Sequence, residues 1–360
     1  HHPSDRWDIH GYIEDYSCLW VQGLREYYDH TGDAELVREL WRPLTEQLRW
    51  FLDRRTTNGL VKARDFVYPG SNPLCYKVCE GTTLNGYVVR ALRDAASLAG
   101  QMGRTAEEQY YATAARKLVE AINHHLWDET RGTYRGGILD GQMQAPTVPA
   151  AFISLAFDIV PAGRRDRVNR WLLDHYREQG GLPYAFQFLF QALYDLGTAE
   201  ADRLALDEIR RGWAGMARSE THTVWEGFGP DENCHEAGAV PAYFLSAYVL
   251  GVRLDGPVAR RHLIIQPRLA NLNEAEGTVV TELGLVPVKW RRERPEGPLD
   301  FEIHIPPQTR ATLSLPYDGR DRLMMLDDKW LSPPQLQVKG RFVNLEIGPG
   351  PHRGRLKLTP

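Results

Sequence analysis

The sequence predicts a mainly α fold. Helical hairpins form an (α/α)6-type toroid, incomplete on its N-terminal side, and a small all-β sandwich follows. Three observations carry this reading. A helix stop followed at once by a helix cap recurs along the first 250 residues. The connections alternate between tight glycine turns and long loops rich in aromatics. After Gly251 the helical spacing gives way to short β-rich segments separated by Pro, Gly, Asp and Asn. We therefore expect a toroid domain over 1–250 and a sandwich domain over 251–360.

Taken in order, 15–28 places Leu19, Trp20, Gly23, Leu24 and Tyr27 at helical spacing and stops at Thr31-Gly32. Asp33 caps the next helix, 34–52. The helix 84–98 ends near Gly100 and Gly103, and Thr105 opens a helix that runs to 127. Segment 151–159 stops at Pro161-Ala162-Gly163 before 165–176. Segment 186–196 stops at Gly197, and Thr198 opens the helix to 217. An apolar helix over 237–250 closes the series. Long loops are expected at 54–83, 128–148, 177–184 and 217–234. Helices after long loops are the more apolar, and those after short turns the more charged, so the spacing predicts an inner and an outer ring. Inner helices start near 16, 83, 148, 185 and 236, and outer ones near 33, 105, 164 and 198. A closed ring of six hairpins holds three more, and their expected place is before this chain's first helix. The β segments are expected at 262–266, 277–281, 286–291, 300–304, 311–315, 322–326, 335–338, 342–347 and 355–358, the spacing of a sandwich.

Composition narrows the function. Of 360 residues, 42% are apolar, enough for a sizeable core, and the net charge of −4 offers nothing to nucleic acid or a membrane surface. The 10 Trp and 16 Tyr fall partly in loops, where rings can stack on sugar faces; for any single Trp, core packing is the ordinary account. Cysteines stand at 18, 75, 79 and 234 with no CxxC pair and no zinc-like spacing. Free thiols, a reducing cytoplasmic setting, no metal and no cofactor are the expectation. The chain opens on His1-His2-Pro3, so the lack of a leader there decides nothing. Homo-oligomerisation stays open.

The candidate chemistry lies in Thr221–His235, a Gly/Pro-broken loop that holds Trp225-Glu226 and runs into the last apolar helix. Glu226 is the candidate catalytic carboxylate; the ordinary alternative is a helix cap or an arginine partner. Asp231, Glu232 and Glu236 crowd it with negative charge, which favours general acid–base work. His235 reads equally as a contact to a substrate hydroxyl or as a helix-start residue bonded to backbone. Asp5, Trp7 and Asp15 precede an inner helix, with N-capping the ordinary account of Asp15. Asp65 and Glu80 lie in the longest loop, and Tyr184 and Phe186 open another inner helix. Each signal is weak alone, but all fall in one class of loop, and those loops should converge.

These residues resemble a known family. Gly11-Tyr12-Ile13-Glu14-Asp15-Tyr16-Ser17-Cys18-Leu19-Trp20, then Tyr27-Tyr28 and Thr31-Gly32-Asp33, look like the signature segment of six-hairpin α-L-rhamnosidases. Glu80-Gly81 with Leu84-Asn85, and Leu182-Pro183-Tyr184, follow in the family's order. So do Thr223-Val224-Trp225-Glu226, Cys234-His235, Pro241 with Tyr243-Phe244-Leu245-Ser246, and Leu250-Gly251-Val252-Arg253. Ile265, Pro267 and Gly277 are similar to the family's C-terminal sandwich. The resemblance implies an inverting glycosidase that removes terminal α-L-rhamnosyl, or related deoxy-sugar, residues from oligosaccharides or glycosides. It makes Glu226 the general base, His235 a sugar contact, and Asp5, Trp7, Asp15, Asp65, Tyr184 and Trp225 candidate substrate-binding residues. The family's acid motif, of the form Asp…Glu-Arg-x-Gly-Trp-x-Gly-Asp, is absent from this sequence. The expectation is therefore a chain without its general acid and of little activity, unless Asp15, Asp65 or Glu80 substitutes. A non-catalytic carbohydrate-binding protein is the alternative. A toroid polysaccharide lyase ranks lower, because these loops are acidic rather than basic.

Overall fold

The computed structural model describes residues 13–68, 78–178, 182–229, 234–294, 297–316, 322–331 and 336–358. They fall into two compact units. One comprises 13–28, 33–196 and 226–229, and the other 29–32, 197–225 and 234–358.

The first unit is helical. Its elements are α1 (Glu14–Thr31, whose last residues group with the second unit), α2 (Ala34–Glu39), α3 (Trp41–Leu52), α4 (Thr82–Gln101), α5 (Thr105–His125), α6 (Val148–Ala156), α7 (Ala162–His175) and α8 (Pro183–Asp195). The starts match the expected ones closely. Asp33 caps α2 by accepting from the Glu35 and Leu36 N–H groups, and Thr147 caps α6 through Ala150 N–H. The expected single helix over 34–52 is instead two, broken at Leu40. Pro43 is the reason: it has no N–H to offer the carbonyl four residues back.

The inner-and-outer pattern holds from α4 to α8; α1, expected in the inner ring, has only 5 of its 18 residues buried. Helix α4 packs on α6 and α6 on α8, while α5 covers α4 and α7 covers α6. Burial follows. Of the 20 residues of α4, 15 are buried, against 5 of 21 in α5. In α6 the figure is 8 of 9, and in α7 it is 2 of 14. An aromatic cluster fills the space between inner helices, with Tyr87, Phe157 and Phe188 in edge-to-face contact at 5.3–5.6 Å.

The second unit begins with α9 (Ala199–Arg218), capped by Thr198 through Ala201 N–H. The segment expected as one α-helix over 237–250 is a composite: a 3-10 turn (Glu236–Ala239), the short α10 (Val240–Phe244) and a π-helical turn (Leu245–Leu250). Pro241 removes one interior donor. At the far end the carbonyls of Ala247, Tyr248 and Val249 are taken by the Arg253 guanidinium, the Arg268 N–H and the Trp290 indole N–H. Gly251, left-handed at φ 87°, closes the turn by donating to Ser246 O five residues back at 3.1 Å. Apolar spacing marks such a segment as buried but cannot say which helical winding it takes.

Two sheets follow and share one core. The first runs Gln337–Lys339, Phe342–Ile347, Arg310–Pro316, His262–Ile265 and Val252–Leu254, with one parallel pair between Arg310–Pro316 and His262–Ile265. The second runs Lys329–Leu331, Arg322–Leu326, Gly350–Leu358, Leu299–Ile305, Gly284–Arg292 and Glu274–Thr281. Alternate residues point inward, so Val286, Val288 and Trp290 of one sheet join Leu263, Leu313 and Val343 of the other. The chain is thus mainly α with an all-β C-terminal part, as its sequence predicts. Val252–Leu254 and Lys329–Leu331 are strands the reading missed, being only three residues long.

Candidate active site

In the first unit the long loops meet at the N-terminal ends of the inner helices. Ile13 bridges Phe66, and Glu14 N–H donates to Phe66 O at 2.9 Å, which joins the start of α1 to the 54–68 loop. The long loops expected ahead of α4 and α6 pair with each other: β1 (Glu80–Gly81) lies antiparallel to a strand at Gly137–Leu139. Gly137 makes this possible, because a Cβ there would sit 2.8 Å from Glu80 O and 2.9 Å from Gly81 Cα. Leu182 N–H, just before α8, donates to the Tyr68 hydroxyl at 3.3 Å.

Two adjacent carboxylates at the first turn of α1 hold this junction, and neither has exposed surface. Glu14 receives the Arg54 guanidinium through both oxygens, at 3.1 and 2.7 Å, and the backbone N–H groups of Arg64 and Asp65. Arg54 lies flat on Trp50, 3.6 Å from the ring centroid. Among the described residues, no cation pairs with Asp15. Its oxygens accept the Tyr68 N–H at 2.7 Å and the Tyr184 hydroxyl at 3.0 Å. Burial pushes its carboxyl up to about 7, against the opposing pull of those hydrogen bonds. Asp15 is therefore not the N-cap that its position suggests. Nor does it offer a ligand any surface, which does not fit the expected direct sugar contact.

Aromatic rings line the same mouth. Tyr184 packs on Tyr16 at 5.5 Å and on Tyr68 at 5.2 Å between centroids, and Tyr16 is 47% exposed. Phe228, 38% exposed, sits edge-on to Phe186 at 5.3 Å, which seats the 226–229 segment beside the first turn of α8. Glu226 is half-buried two residues away, and among the described residues its carboxylate has no hydrogen-bond or ion-pair partner. Among the described residues it has neither the helix-cap bond nor the arginine partner of the ordinary accounts. Asp65, also half-buried, turns one oxygen to Phe66 N–H at 2.9 Å, and Glu80 accepts from Asn58 at 3.0 Å.

In the second unit the two flanks of the Trp225–His235 loop are tied together. His235 N–H donates to Val224 O at 2.9 Å. Gly238 presses on Trp225 so closely that a Cβ would meet its backbone O at 2.5 Å and N at 2.6 Å. Trp213 adds a hydrogen bond from its indole N–H to Gly238 O at 2.6 Å. Trp225 is buried, and its indole N–H has no partner among the described residues. His235 Nδ1 accepts from Ala237 N–H at 3.1 Å, capping the turn, with Glu236 at 3.6 Å. The backbone role of His235 is thus filled by one ring nitrogen, and the half-exposed ring keeps the other.

Asp5 and Trp7 lie outside the described residues, as do Asp231 and Glu232, two of the carboxylates expected to crowd Glu226; Glu236 points outward. Cys18, Cys79 and Cys234 are free thiols, and Cys75 is outside the described residues. Sequence reasoning missed Arg54, Tyr16 and Tyr68 as parts of the mouth. The adjacent pair Glu14-Asp15 was a usable signal, but nothing local marks Arg54, 40 residues on, as the partner.

Comparison with known proteins agrees with this architecture. Residues 2–249 match the bacterial alpha-L-rhamnosidase 6 hairpin glycosidase domain, and residues 251–326 match the bacterial alpha-L-rhamnosidase C-terminal domain. Among solved structures the chain is similar to an alpha-L-rhamnosidase from Dictyoglumus thermophilum, with TM-score 0.81 and 17% identity over 98% of this chain and 41% of that one. It is also similar to the GH78 family rhamnosidase of Bacillus sp. GL1, with TM-score 0.75 and 26% identity over 88% of this chain and 34% of that one. A mannosylglycerate hydrolase from Rubrobacter radiotolerans is 34% identical over 93 residues, which is 26% of this chain and 21% of the relative. The chain thus spans well under half of each of these proteins. Among the described residues, no helix is long and apolar enough to cross a membrane.

Proposed function

The chain belongs to the bacterial α-L-rhamnosidase six-hairpin glycosidase family, and from that premise we propose that it acts in hydrolysing terminal α-L-rhamnosyl residues by inversion, with Glu226 as general base. One observation carries the assignment. The segment holding Glu226 is seated by Phe228 on Phe186 at the same mouth where α1, the 54–68 loop and α8 meet. A base must be free to take a proton from water, and this carboxylate is neither capped nor paired among the described residues. Tyr16, Tyr68 and Tyr184 supply ring faces for a sugar. In the second unit, the His235 ring nitrogen that does not cap the turn has no partner among the described residues and suits a hydroxyl. Trp225 stiffens the backbone next to the base. Inversion needs a second carboxyl on the opposite side of the bond. Asp65 and Glu80 stand on the converging loops; Asp15 is sealed off. We keep the domain boundary at 250–251, and the ends of the two matched regions support that choice.

The test is Glu226→Gln, assayed on an aryl α-L-rhamnoside, whose good leaving group needs little acid help, and on a rhamnosyl oligosaccharide. Hydrolysis should fall by roughly 10²–10⁴-fold while L-rhamnose binding is retained. Equal turnover by the variant would remove Glu226 from the chemistry. Sugar binding without hydrolysis in either form would favour a carbohydrate-binding protein instead.

A further inference from the structure

We propose that Asp15 is a positioning residue: its ionised carboxylate holds the aromatic wall of the mouth by gripping the Tyr184 hydroxyl and the Tyr68 backbone at once. The proposal deepens the reading above, on which it rests for its sugar arm. Geometry carries it. Asp15 joins three separate pieces of chain, namely the start of α1, the end of the 54–68 loop and the first turn of α8. The rings it fixes, Tyr184 and Tyr68, are 5.2 Å apart, and Tyr184 also packs on half-exposed Tyr16. Two residues beyond Tyr184, Phe186 receives Phe228 of the Glu226 segment. Tyr184 and Phe186 share the first turn of α8, so a displacement of that turn reaches the segment that carries the candidate base.

The contrast with Glu14 shows why Asp15 is the adjustable member. Glu14 has Arg54 and two N–H donors, so its charge is compensated. Among the described residues, Asp15 has only neutral donors. Among the described residues, the titratable and charged groups around it are Glu14, Tyr16 and Cys18 of α1, Tyr87 of α4, Tyr184 of α8, and Arg54 beyond Glu14. None but Arg54 is a cation, and burial holds the Asp15 carboxyl near neutrality. Protonation turns one of its oxygens from acceptor to donor. The Tyr184 hydroxyl must then accept, and its own proton must turn towards the adjacent buried Tyr87. The Tyr68 N–H is left with a neutral carbonyl, a weaker acceptor than a carboxylate.

Two readouts on the full chain separate this proposal from the rhamnosidase reading. The first is the near-ultraviolet circular dichroism of tyrosine, titrated from pH 5 to 9. The second is L-rhamnose affinity by calorimetry across the same range. The wild type should show a tyrosine transition near neutral pH and bind the sugar on the order of three- to tenfold more weakly on the acid side, as expected for the loss of charge-assisted bonds. Asp15→Asn should abolish the transition and flatten the affinity profile. Tyr184→Phe, which keeps the carboxyl but removes a donor that favours its ionised form, should move the midpoint upward. A transition unchanged in both variants overturns the proposal, and if Asp15→Asn does not fold, an unmoved midpoint in Tyr184→Phe does so alone. If rhamnose fails to bind at any pH, the rhamnosidase reading falls, while the dichroism still decides the role of Asp15.

Discussion

Glu14 and Asp15 are neighbours in sequence, equally buried, and opposite in consequence. An arginine compensates one, while the other is left to neutral donors. The second arrangement makes stability depend on pH. The Asp15 carboxyl rises from 3.8 to about 7 because burial disfavours its charge, and Asp94 rises to about 6 for the same reason, despite its 2.7 Å pair with Arg90. A raised carboxyl keeps its proton in the folded state after the unfolded state has lost it. Stability is therefore full below pH 3.8 on this account, and falls as pH climbs towards 7. Urea unfolding from pH 4.5 to 7.5 should show that decline, and Asp15→Asn should make it shallower; a variant with the wild-type slope would contradict the shift. At Glu14 the expectation is different. Arg54→Met leaves a buried charge without its cation, at a cost of about 3–5 kcal/mol read from the same denaturation curves.

At the scale of elements, the loop that bears Glu226 is defined by its flanks. Gly238 is the close-approach point, with no room for a Cβ against the Trp225 backbone. Gly238→Ala should cost about 1–3 kcal/mol from overpacking and lower hydrolysis more than sugar affinity, as steady-state kinetics would show. Trp213→Phe keeps the ring but strips the Gly238 carbonyl of its donor, for about 1–3 kcal/mol. Neither residue stood out in the sequence. Trp213 sits in a charged helix where an aromatic reads as ordinary packing, and Gly238 reads as a weak point in an apolar helix. Apolar periodicity located that helix to within a residue or two, but the 3-10 and π turns follow from Pro241 and from carbonyls claimed by distant donors.

At the scale of the molecule, the second compact unit does not stop where the helices stop. Leu206 of α9 and Val249 belong to the sandwich core, and the Trp290 indole donates to Val249 O at 3.0 Å. Buried Asp202 of α9 pairs with Arg341, which stacks on Phe342 alongside Arg268. The junction between the two matched family regions thus falls inside one packed body. Two outcomes follow. Arg341→Met should destabilise by about 1–3 kcal/mol, because the buried Asp202 carboxylate loses its hydrogen-bonded cation and keeps only the field of Arg268. A protein cut at 250–251 should yield a sandwich fragment that lacks a cooperative thermal transition, its core having lost Val249 and Leu206; a sharp calorimetric melt of that fragment would refute this.

The sequence by itself determined most of the helices and strands to within short pieces, the alternation of inner and outer helices from α4 to α8, the change of class at Gly251 and the loop that carries Glu226. These follow from local causes: caps, glycine turns, proline, and the period of apolar residues, each spanning a few positions. Tertiary structure alone decided which polar residues serve one another. Asp15 reads as a helix cap and is a buried tie to Tyr184, 169 residues away. Glu14 needs Arg54, and the loops before α4 and α6 become a sheet only by pairing with each other. Burial and hydrogen-bond partners are properties of converging chain segments, and a carboxylate's neighbours in space leave no mark beside it in the chain.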